Sequence, residues 1–176
     1  PRGAGTSQCG QTVGEALVVD VSKHINGILA FDVEARRATV QPGVVLDRLN
    51  AHLKPHGLFF PVDVSTSAQA TIGGMAGNNS CGARSIRYGN MVHNVIGVQA
   101  VTASGSMLEF GEVPGNLSTL TTNPGYTNLV QSVRQIARDT AVADNPRWPK
   151  LLRRVGGYNL DSVNDDGHNM AHLLVG

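Results

Sequence analysis

The stretch from residue 58 to residue 89, LFFPVDVSTSAQATIGGMAGNNSCGARSIRYG, constrains this chain more than any other part of it. Small residues replace the apolar periodicity with which helices and strands bury one face. Ordered connections of this length inside a globular chain are usually functional. Glycine has no Cβ, so its backbone can lie against a flat or bulky group. The stretch therefore predicts turns arranged around a ligand.

Four segments carry the small and polar residues that could face such a ligand. Residues 2–7, in PRGAGTSQCG, offer successive backbone N–H groups and two hydroxyl groups, which suit the close-set oxygens of a pyrophosphate. The turn at residues 42–43 is the second segment, and PVDVSTS at residues 61–67 is the third. The fourth is TIGGMAGNNSCG at residues 71–82, whose glycines leave room for a ligand. The residues alone indicate a large, extended, phosphate-containing ligand.

Composition and motifs disfavour several other functions. A net charge of +1 leaves no broad basic face of the kind that nucleic acid demands. Cys9 and Cys81 form no CxxC pair, which disfavours a zinc site or a disulfide framework and favours a reducing compartment. The chain has neither GxxxxGKS/T nor a GxGxxG that opens a helix, so P-loop hydrolysis and a Rossmann site are disfavoured. No apolar run approaches the ~18 residues that a membrane span needs.

The apolar pattern predicts strands and helices in mixed order. The predicted strands are residues 16–20, 28–32, 38–41, 95–102 and 107–110. Strands 28–32 and 38–41 are expected to form one hairpin, and strands 95–102 and 107–110 a second. The first predicted helix is residues 44–54, with Gly57 as its cap, and a short second one runs from Thr71 through Ala76. A third has an apolar stripe from Leu129 to Ala137 and ends near Thr140. Two further short helices are predicted at residues 148–155 and 170–175. This order indicates an α+β fold, with a mixed or antiparallel sheet flanked by helices.

The same segments, in the same order, resemble one known family. The residues that carry the resemblance are PRGAGTSQCGQ, the run from VQPGVVLDRLN to NVIGVQAVTASG, RRVGGYNLD and HNMAHLLVG. They are similar to the FAD-binding domain of the vanillyl-alcohol oxidase and p-cresol methylhydroxylase (PCMH) type. GTSQCGQ and AGNNSCG are most similar to the large bacterial D-lactate, glycolate and D-2-hydroxyglutarate dehydrogenases, which carry a C-terminal iron–sulfur region.

The resemblance implies where FAD is bound. The first segment matches the loop that hydrogen-bonds the pyrophosphate, and the second lies beside the cofactor. The third passes the flavin and its ribityl chain, and the fourth, together with residues 87–89, forms the second pyrophosphate and adenine-side wall. The residues carried over are Arg2, Gly3, Ala4, Gly5, Thr6, Ser7, Pro42, Gly43, Pro61, Asp63, Ser67, Thr71, Gly73, Gly74, Asn78, Asn79, Gly82, Arg87, Tyr88 and Gly89. Some family members attach FAD through a histidine in the first loop. That position is Thr6 here, so FAD is expected to be held without a covalent bond.

The resemblance also implies a reaction, the oxidation of a D-2-hydroxy acid by hydride transfer to FAD. No catalytic residue and no metal ligand is expected in this chain. Residues 1–176 are expected to be a single FAD-binding domain, truncated at both ends and without the substrate-binding cap domain. An iron–sulfur cluster outside this fragment is a further expectation, as is a cytoplasmic location, with peripheral contact to the inner membrane left open. The alternatives are a non-catalytic FAD- or dinucleotide-binding electron-transfer module and a sister FAD-linked oxidase of another substrate class.

A few other residues could carry chemistry of their own. His168 and His172 stand four residues apart, but HNMAH lacks the glutamate of a metalloprotease HExxH helix, so a surface or interface helix is expected. Cys81 is expected to be a small buried residue. Arg84 and Arg87 could neutralise a phosphate or a substrate carboxylate, or could be solvated, and the sequence leaves both roles open.

Overall fold

The structure, a computed structural model, describes residues 1–10, 12–120, 123–140, 145–148, 150–151, 154 and 156–176. Its named strands pair in two-stranded antiparallel sheets, and short helices stand between them along the chain. The predicted α+β class is therefore confirmed. The chain divides into two compact units, Pro1–Met91 and Val92–Gly176. The expectation of a single domain over residues 1–176 stays a prediction.

The first unit begins its regular structure with a hairpin. Strand β1 (Ile28–Asp32) pairs with strand β2 (Arg37–Val40), as predicted. Helix α1 (Leu46–Leu53) follows and tightens into a 3₁₀ turn (Lys54–His56). Gly57 then ends the turn with a φ of 69°. Because side chains with a Cβ rarely adopt this left-handed conformation, the predicted glycine cap has a physical reason and is confirmed.

The core of the first unit lies between α1 and the hairpin. The buried residues on the helical side are Val44, Leu49 and Leu53. The hairpin residues packed against them are Ile28, Phe31 and Val40. Fully burying one leucine or valine stabilises a fold by roughly 1.5–3 kcal/mol, so this small cluster holds α1 against the hairpin. The predicted packing of the helix on a sheet is confirmed.

Two short helices lie in the glycine-rich stretch. Helix α2 (Ile72–Ala76) begins at Thr71, whose side chain caps it as predicted. Helix α3 (Ser85–Tyr88) lies near the end of the stretch. The N–H of Ile72 donates to the backbone oxygen of Val44 at 2.8 Å. Since Val44 belongs to the core, this bond fixes the start of α2 relative to α1.

The predicted buried strand at residues 16–20 is wrong. Within the described part of the chain, this segment makes one isolated parallel bridge, between Arg2 and Asp20. Leu17 is 91% exposed, and Val18 and Val19 are exposed as well. An apolar run becomes a buried strand only where neighbouring strands pair with it and a second layer covers it. Apart from the single bridge to Arg2, no described residue supplies either, so these side chains stay on the surface.

The described part of the second unit contains two strand pairs and two α-helices. In chain order its elements are β3 (Val98–Val101), β4 (Met107–Phe110), β5 (Glu112–Pro114), α4 (Pro124–Asp139), β6 (Gly167–Asn169) and α5 (Met170–Leu174). The β3–β4 hairpin and both helices are confirmed, although α4 begins earlier and β3 later than predicted. The antiparallel β5–β6 pair had not been predicted. The predicted helix at residues 148–155 falls largely outside the described residues.

Helix α4 packs on its unit through a face that differs from the predicted stripe. Its buried residues are Tyr126, Val130 and Arg134, whereas Leu129 and Ile136 are exposed. The Tyr126 ring lies edge-to-face against that of Phe110, at 5.7 Å between centroids. This contact orients the helix. The stripe from Leu129 to Ala137 was therefore only partly correct as a core face.

Arg134 is buried with its charge directed into backbone carbonyls. Its guanidinium donates to the oxygen of Pro114 at 2.7 Å and to that of Gly115 at 2.8 Å. These bonds tie α4 to the end of β5.

Among the described residues, no helix has the length and apolar character needed to cross a bilayer.

Candidate cofactor-binding site

The first segment is held at its start by a cluster around Arg2. Its N–H donates to the oxygen of Val19 at 2.8 Å, and its guanidinium donates to the Asp20 carboxylate at 3.0 Å. Ser22 donates to the same carboxylate through its hydroxyl at 2.6 Å and its N–H at 2.8 Å. The bonds from Ser22, and then the one from Arg2, lower the pKa of Asp20 to about 2. Asp20 is therefore ionised at neutral pH and anchors the segment.

Beyond Arg2, the segment presents unused backbone donors. No described residue accepts a hydrogen bond from the N–H groups of residues 3–6. Ala4, Gly5 and Thr6 are exposed, so these groups are accessible to a ligand. Successive accessible N–H groups form the kind of donor set that binds phosphate oxygens. This donor set suits the pyrophosphate of the predicted cofactor.

The first segment contacts the fourth at Gly3 and Thr71. A Cβ added to Gly3 would overlap the Oγ1 of Thr71. The same oxygen accepts the N–H of Gly74 at 3.3 Å, and the Thr71 side chain is buried. The absence of a side chain at residue 3 thus lets the first loop rest on the cap of α2.

The second segment contacts the fourth as closely. The N–H of Gly73 donates to the oxygen of Pro42 at 2.8 Å. A Cβ on Gly73 would lie 2.5 Å from the Cβ of Pro42, well inside van der Waals contact. On the other side of the turn, the N–H of Gly43 donates to the oxygen of Ile25 at 2.8 Å. The turn is thus held between α2 and the segment before β1.

The third segment contacts the fourth at Asp63 and Gly82. A Cβ on Gly82 would overlap the backbone oxygen of Asp63. The carboxylate of Asp63 accepts the N–H of Arg84 at 3.0 Å. The backbone oxygen of Ser67 accepts a hydrogen bond from the N–H of Asp47, in α1, at 3.1 Å. All four predicted segments are therefore brought together within the first unit.

The fourth segment divides into exposed and buried residues. Gly74, Gly77 and Asn78 are exposed, whereas Asn79 and Ser80 are buried. Asn78 donates from its side-chain amide to the Ser80 hydroxyl at 3.1 Å. Only the exposed residues are accessible to a ligand without rearrangement. The burial of Asn79 favours a structural role for a residue that the sequence placed against the cofactor.

Residues 87–89 are joined to the fourth segment through Ser85. Its hydroxyl accepts the N–H of Gly82 at 3.1 Å, and its N–H donates to the Gly82 oxygen at 3.0 Å. The guanidinium carbon of Arg87 lies 5.3 Å from the centroid of the Tyr88 ring. Phe59, which the sequence analysis did not single out, contacts the same ring at 5.9 Å.

The two histidines of HNMAH lie on different elements, so the predicted shared helix is wrong. His168 is a buried residue of β6, with its Nδ1 2.9 Å from the Asn164 oxygen, and burial lowers its pKa. His172 lies on α5, with its Nε2 3.1 Å from the oxygen of Val95. The strand–helix boundary after Asn169 separates them. In the part of the chain that the structure describes, no group of three or more His, Cys, Asp or Glu residues could hold a metal ion.

Cys81 is half-buried rather than fully buried, and Cys9 is exposed.

The sequence motifs did not point to Asp20 and Ser22, which fix Arg2 in place. No motif marks these two residues, because their role depends on a contact with a residue far away in the chain. The site as a whole offers anion-binding donors and an accessible backbone, which are the means of binding a cofactor.

Similarity to known proteins also points to FAD as the ligand. A family model described as "FAD binding domain" matches residues 1–111. The D-2-hydroxyglutarate dehydrogenase of Haemophilus influenzae is 36% identical over 184 residues, and that of Pantoea ananatis is 39% identical over 183 residues. Each alignment covers 100% of this chain and 18% of the relative. The glycolate oxidase subunit GlcD of Bacillus subtilis is 44% identical over 113 residues, which are 63% of this chain and 24% of the relative.

Proposed function

The chain belongs to the family of FAD binding domains, and on that premise we propose that it is the flavin-binding part of an enzyme that oxidises a D-2-hydroxy acid. The observation that carries the proposal is the similarity to D-2-hydroxyglutarate dehydrogenases along the entire chain. The chain spans about a fifth of the length of these relatives, 18% in each case. The activity is accordingly proposed for a protein that contains this domain.

The residues proposed to hold FAD are those of the four segments. The free N–H groups of residues 3–6 would receive the pyrophosphate, and Arg2, through its ion pair with Asp20, would hold this loop in place. Gly74, Gly77 and Asn78 offer an exposed surface on which the cofactor can lie. Residues 42–43 and 61–67 line the same assembly through their contacts with α2 and Gly82. Support for this assignment comes from the mutual contacts of segments that are far apart in the chain.

The role of this chain in the reaction is to bind and orient. Bound FAD supplies the acceptor for a hydride from the carbon that carries the substrate hydroxyl. Thr6 stands where some family members have the histidine that attaches FAD, which supports non-covalent binding. We place the base that takes the hydroxyl proton outside this chain, together with the substrate-binding residues. An iron–sulfur cluster elsewhere in the polypeptide and a cytoplasmic location complete the proposal.

The proposal is tested by reduction of the bound flavin. The polypeptide expressed from its natural gene is loaded with FAD and mixed, without oxygen, with D-2-hydroxyglutarate, D-lactate or glycolate. We expect one of these acids to bleach the flavin absorption, and the L enantiomers of the two chiral acids to leave it unchanged. A flavin that none of these acids reduces, although FAD is bound, would contradict the proposed substrate class. It would favour the non-catalytic electron-transfer module.

A further inference from the structure

We propose that an exposed cluster of the first unit, formed by Phe59, Arg84, Ile86, Arg87 and Tyr88, is a docking surface for an acidic protein segment. The cluster joins the extended stretch after α1 to helix α3. Phe59, Arg84 and Ile86 are not among the residues proposed to hold FAD. This inference does not depend on the identity of the substrate. The resemblance also assigns Arg87 and Tyr88 to the adenine-side wall of the cofactor site, so the inference is tested on Arg84 and Ile86.

The two arginines and two aromatic rings of the cluster form a continuous stack. The guanidinium carbon of Arg84 lies 5.1 Å from the centroid of the Phe59 ring. The Phe59 and Tyr88 rings meet edge-to-face at 83°, and Arg87 covers the Tyr88 ring. A guanidinium stacked on a ring keeps its in-plane N–H donors available for a carboxylate. Both cations are therefore pre-organised for acidic groups.

The backbone on both sides holds the stack on the surface. Leu58 and Phe60 pack against the core, and the N–H of Phe60 donates to the Asn50 side chain at 2.8 Å. Because alternate side chains of an extended stretch point to opposite sides, Phe59 faces solvent and is 46% exposed. The N–H of Arg84 is bonded to the Asp63 carboxylate. The exposed position of the stack is thus set by the fold.

The charges of the stack are not neutralised within the described chain. No described residue forms an ion pair or a hydrogen bond with the guanidinium of Arg84 or Arg87. Other arginines of the described chain do have acidic partners, as Arg138 does in Asp165. Two unpaired cations on one short segment favour a partner that carries carboxylates.

The apolar part of the cluster favours a protein over a small molecule. Ile86 is 88% exposed between the two arginines. Small ligands are bound in concave sites that cover most of their surface, whereas projecting side chains suit a protein partner. Arginine and aromatic residues around an apolar centre are also the composition of interface hot spots. The complementary surface is an acidic segment that includes an apolar side chain.

The test is peptide binding to the full chain, followed by fluorescence anisotropy. The probe is a short fluorescein-labelled peptide rich in glutamate and leucine, and its twin has glutamine at every glutamate. We expect the acidic peptide to bind and the twin not to bind. Arg84→Gln and Ile86→Ser should each weaken binding by about tenfold, the effect of removing a hot-spot residue. The matched control is Arg37→Gln, an exposed arginine of β2, which should leave binding unchanged.

Three outcomes would overturn the proposal. The first is absence of binding, or equal binding of the twin, because carboxylates would then not be what is recognised. The second is an equal loss in Arg37→Gln and Arg84→Gln, which would mean attraction to overall charge. The third is a loss of FAD affinity in Arg84→Gln, measured by flavin fluorescence in the same samples. That result would place Arg84 in the cofactor site, whereas unchanged FAD affinity leaves the two proposals independent.

Discussion

Replacing Gly73 with alanine is expected to destabilise the first unit, because the added methyl group has no space. It would lie 2.5 Å from the Cβ, 2.9 Å from the Cα and 3.0 Å from the oxygen of Pro42. Normal contact requires the two segments to separate by roughly 1 Å. Such overpacking lowers the free energy of unfolding by about 1–3 kcal/mol. Alanine in a helix raises it by about 0.5–1 kcal/mol relative to glycine. The expected net loss of stability is therefore about 0–2.5 kcal/mol, with a centre near 1 kcal/mol.

The neighbouring Gly74 supplies a matched control in the same helix. Apart from the backbone of the helix itself, a Cβ there would meet one described atom within 4 Å, the Oγ1 of Thr71 at 3.0 Å. Gly74→Ala should therefore leave the free energy of unfolding within about 1 kcal/mol of the wild type. Gly74→Val should instead lower FAD affinity strongly, because its branched side chain would occupy the exposed face proposed for the cofactor.

Both effects can be measured with two assays. Urea unfolding followed by circular dichroism, without FAD, gives the free energy of unfolding of each variant, and flavin fluorescence gives FAD affinity. Equal destabilisation by alanine at residues 73 and 74 would refute the assignment of the close contact to Gly73. Wild-type FAD affinity in Gly74→Val would refute the proposed position of the cofactor.

Three further predictions concern charge and buried hydrogen bonds. Burial lowers the pKa of His168 below its ordinary 6.5, so the contribution of this residue to stability should be complete above about pH 6.5. Stability should fall as the pH drops from there toward the pKa of the folded state. In His168→Gln, the urea midpoint should no longer change with pH over this range. NMR titration of the Asp20 carboxyl should give a midpoint near 2, and Ser22→Ala should raise it, because that variant removes the hydroxyl bond that is the largest cause of the low pKa. Asn159→Ala should cost about 1–3 kcal/mol in urea unfolding, since Asn159 is buried and donates to two backbone oxygens at the end of α5.

Each of these has a control or a contradicting result. An unchanged pH slope in His168→Gln would show that other groups cause the dependence. A midpoint for Asp20 near its ordinary 3.8 in the wild type would contradict the hydrogen bonds assigned to it. Asn128, on the exposed side of α4, is the matched control for Asn159, and Asn128→Ala should leave stability nearly unchanged.

The elements that the sequence predicted correctly are those whose signals are local. The β1–β2 and β3–β4 hairpins each have their turn between strands of clear pattern, and α1 has both its apolar spacing and Gly57 at its end. The early start of α4 also had a local signal. Asn123 caps it by accepting the N–H of Gly125 at 2.7 Å, and Pro124 stands at its first position.

The elements that the sequence missed depend on distant contacts. The strands β5 and β6 have three residues each and pair across more than half of the second unit, so neither has a pattern of its own. The run at residues 16–20 has a strand pattern, but burial needs a neighbour that its own sequence does not specify. The buried face of α4 is set by the contact between Tyr126 and Phe110, which helical spacing alone could not reveal.

The sequence predicted the segments of the candidate site better than the reason for their glycines. The four segments do lie together, but Gly3, Gly73 and Gly82 are pressed against protein atoms rather than left open for a ligand. Close packing of the segments on one another explains these three glycines. The exposed Gly74 is the position where space for a cofactor is still the better explanation. Phe59 could have been found from the alternation of Leu58 and Phe60 around it.

The proposed cofactor site is tested most directly by titrating this chain with FAD, with FMN and ATP as controls, and following flavin fluorescence and competition. We expect saturable binding of FAD in clear preference to FMN, because the four segments are proposed to hold the pyrophosphate and the adenine side as well as the flavin. ATP should compete only weakly, since it lacks the flavin. A chain that is folded by circular dichroism but binds FAD no better than FMN would contradict the proposed site.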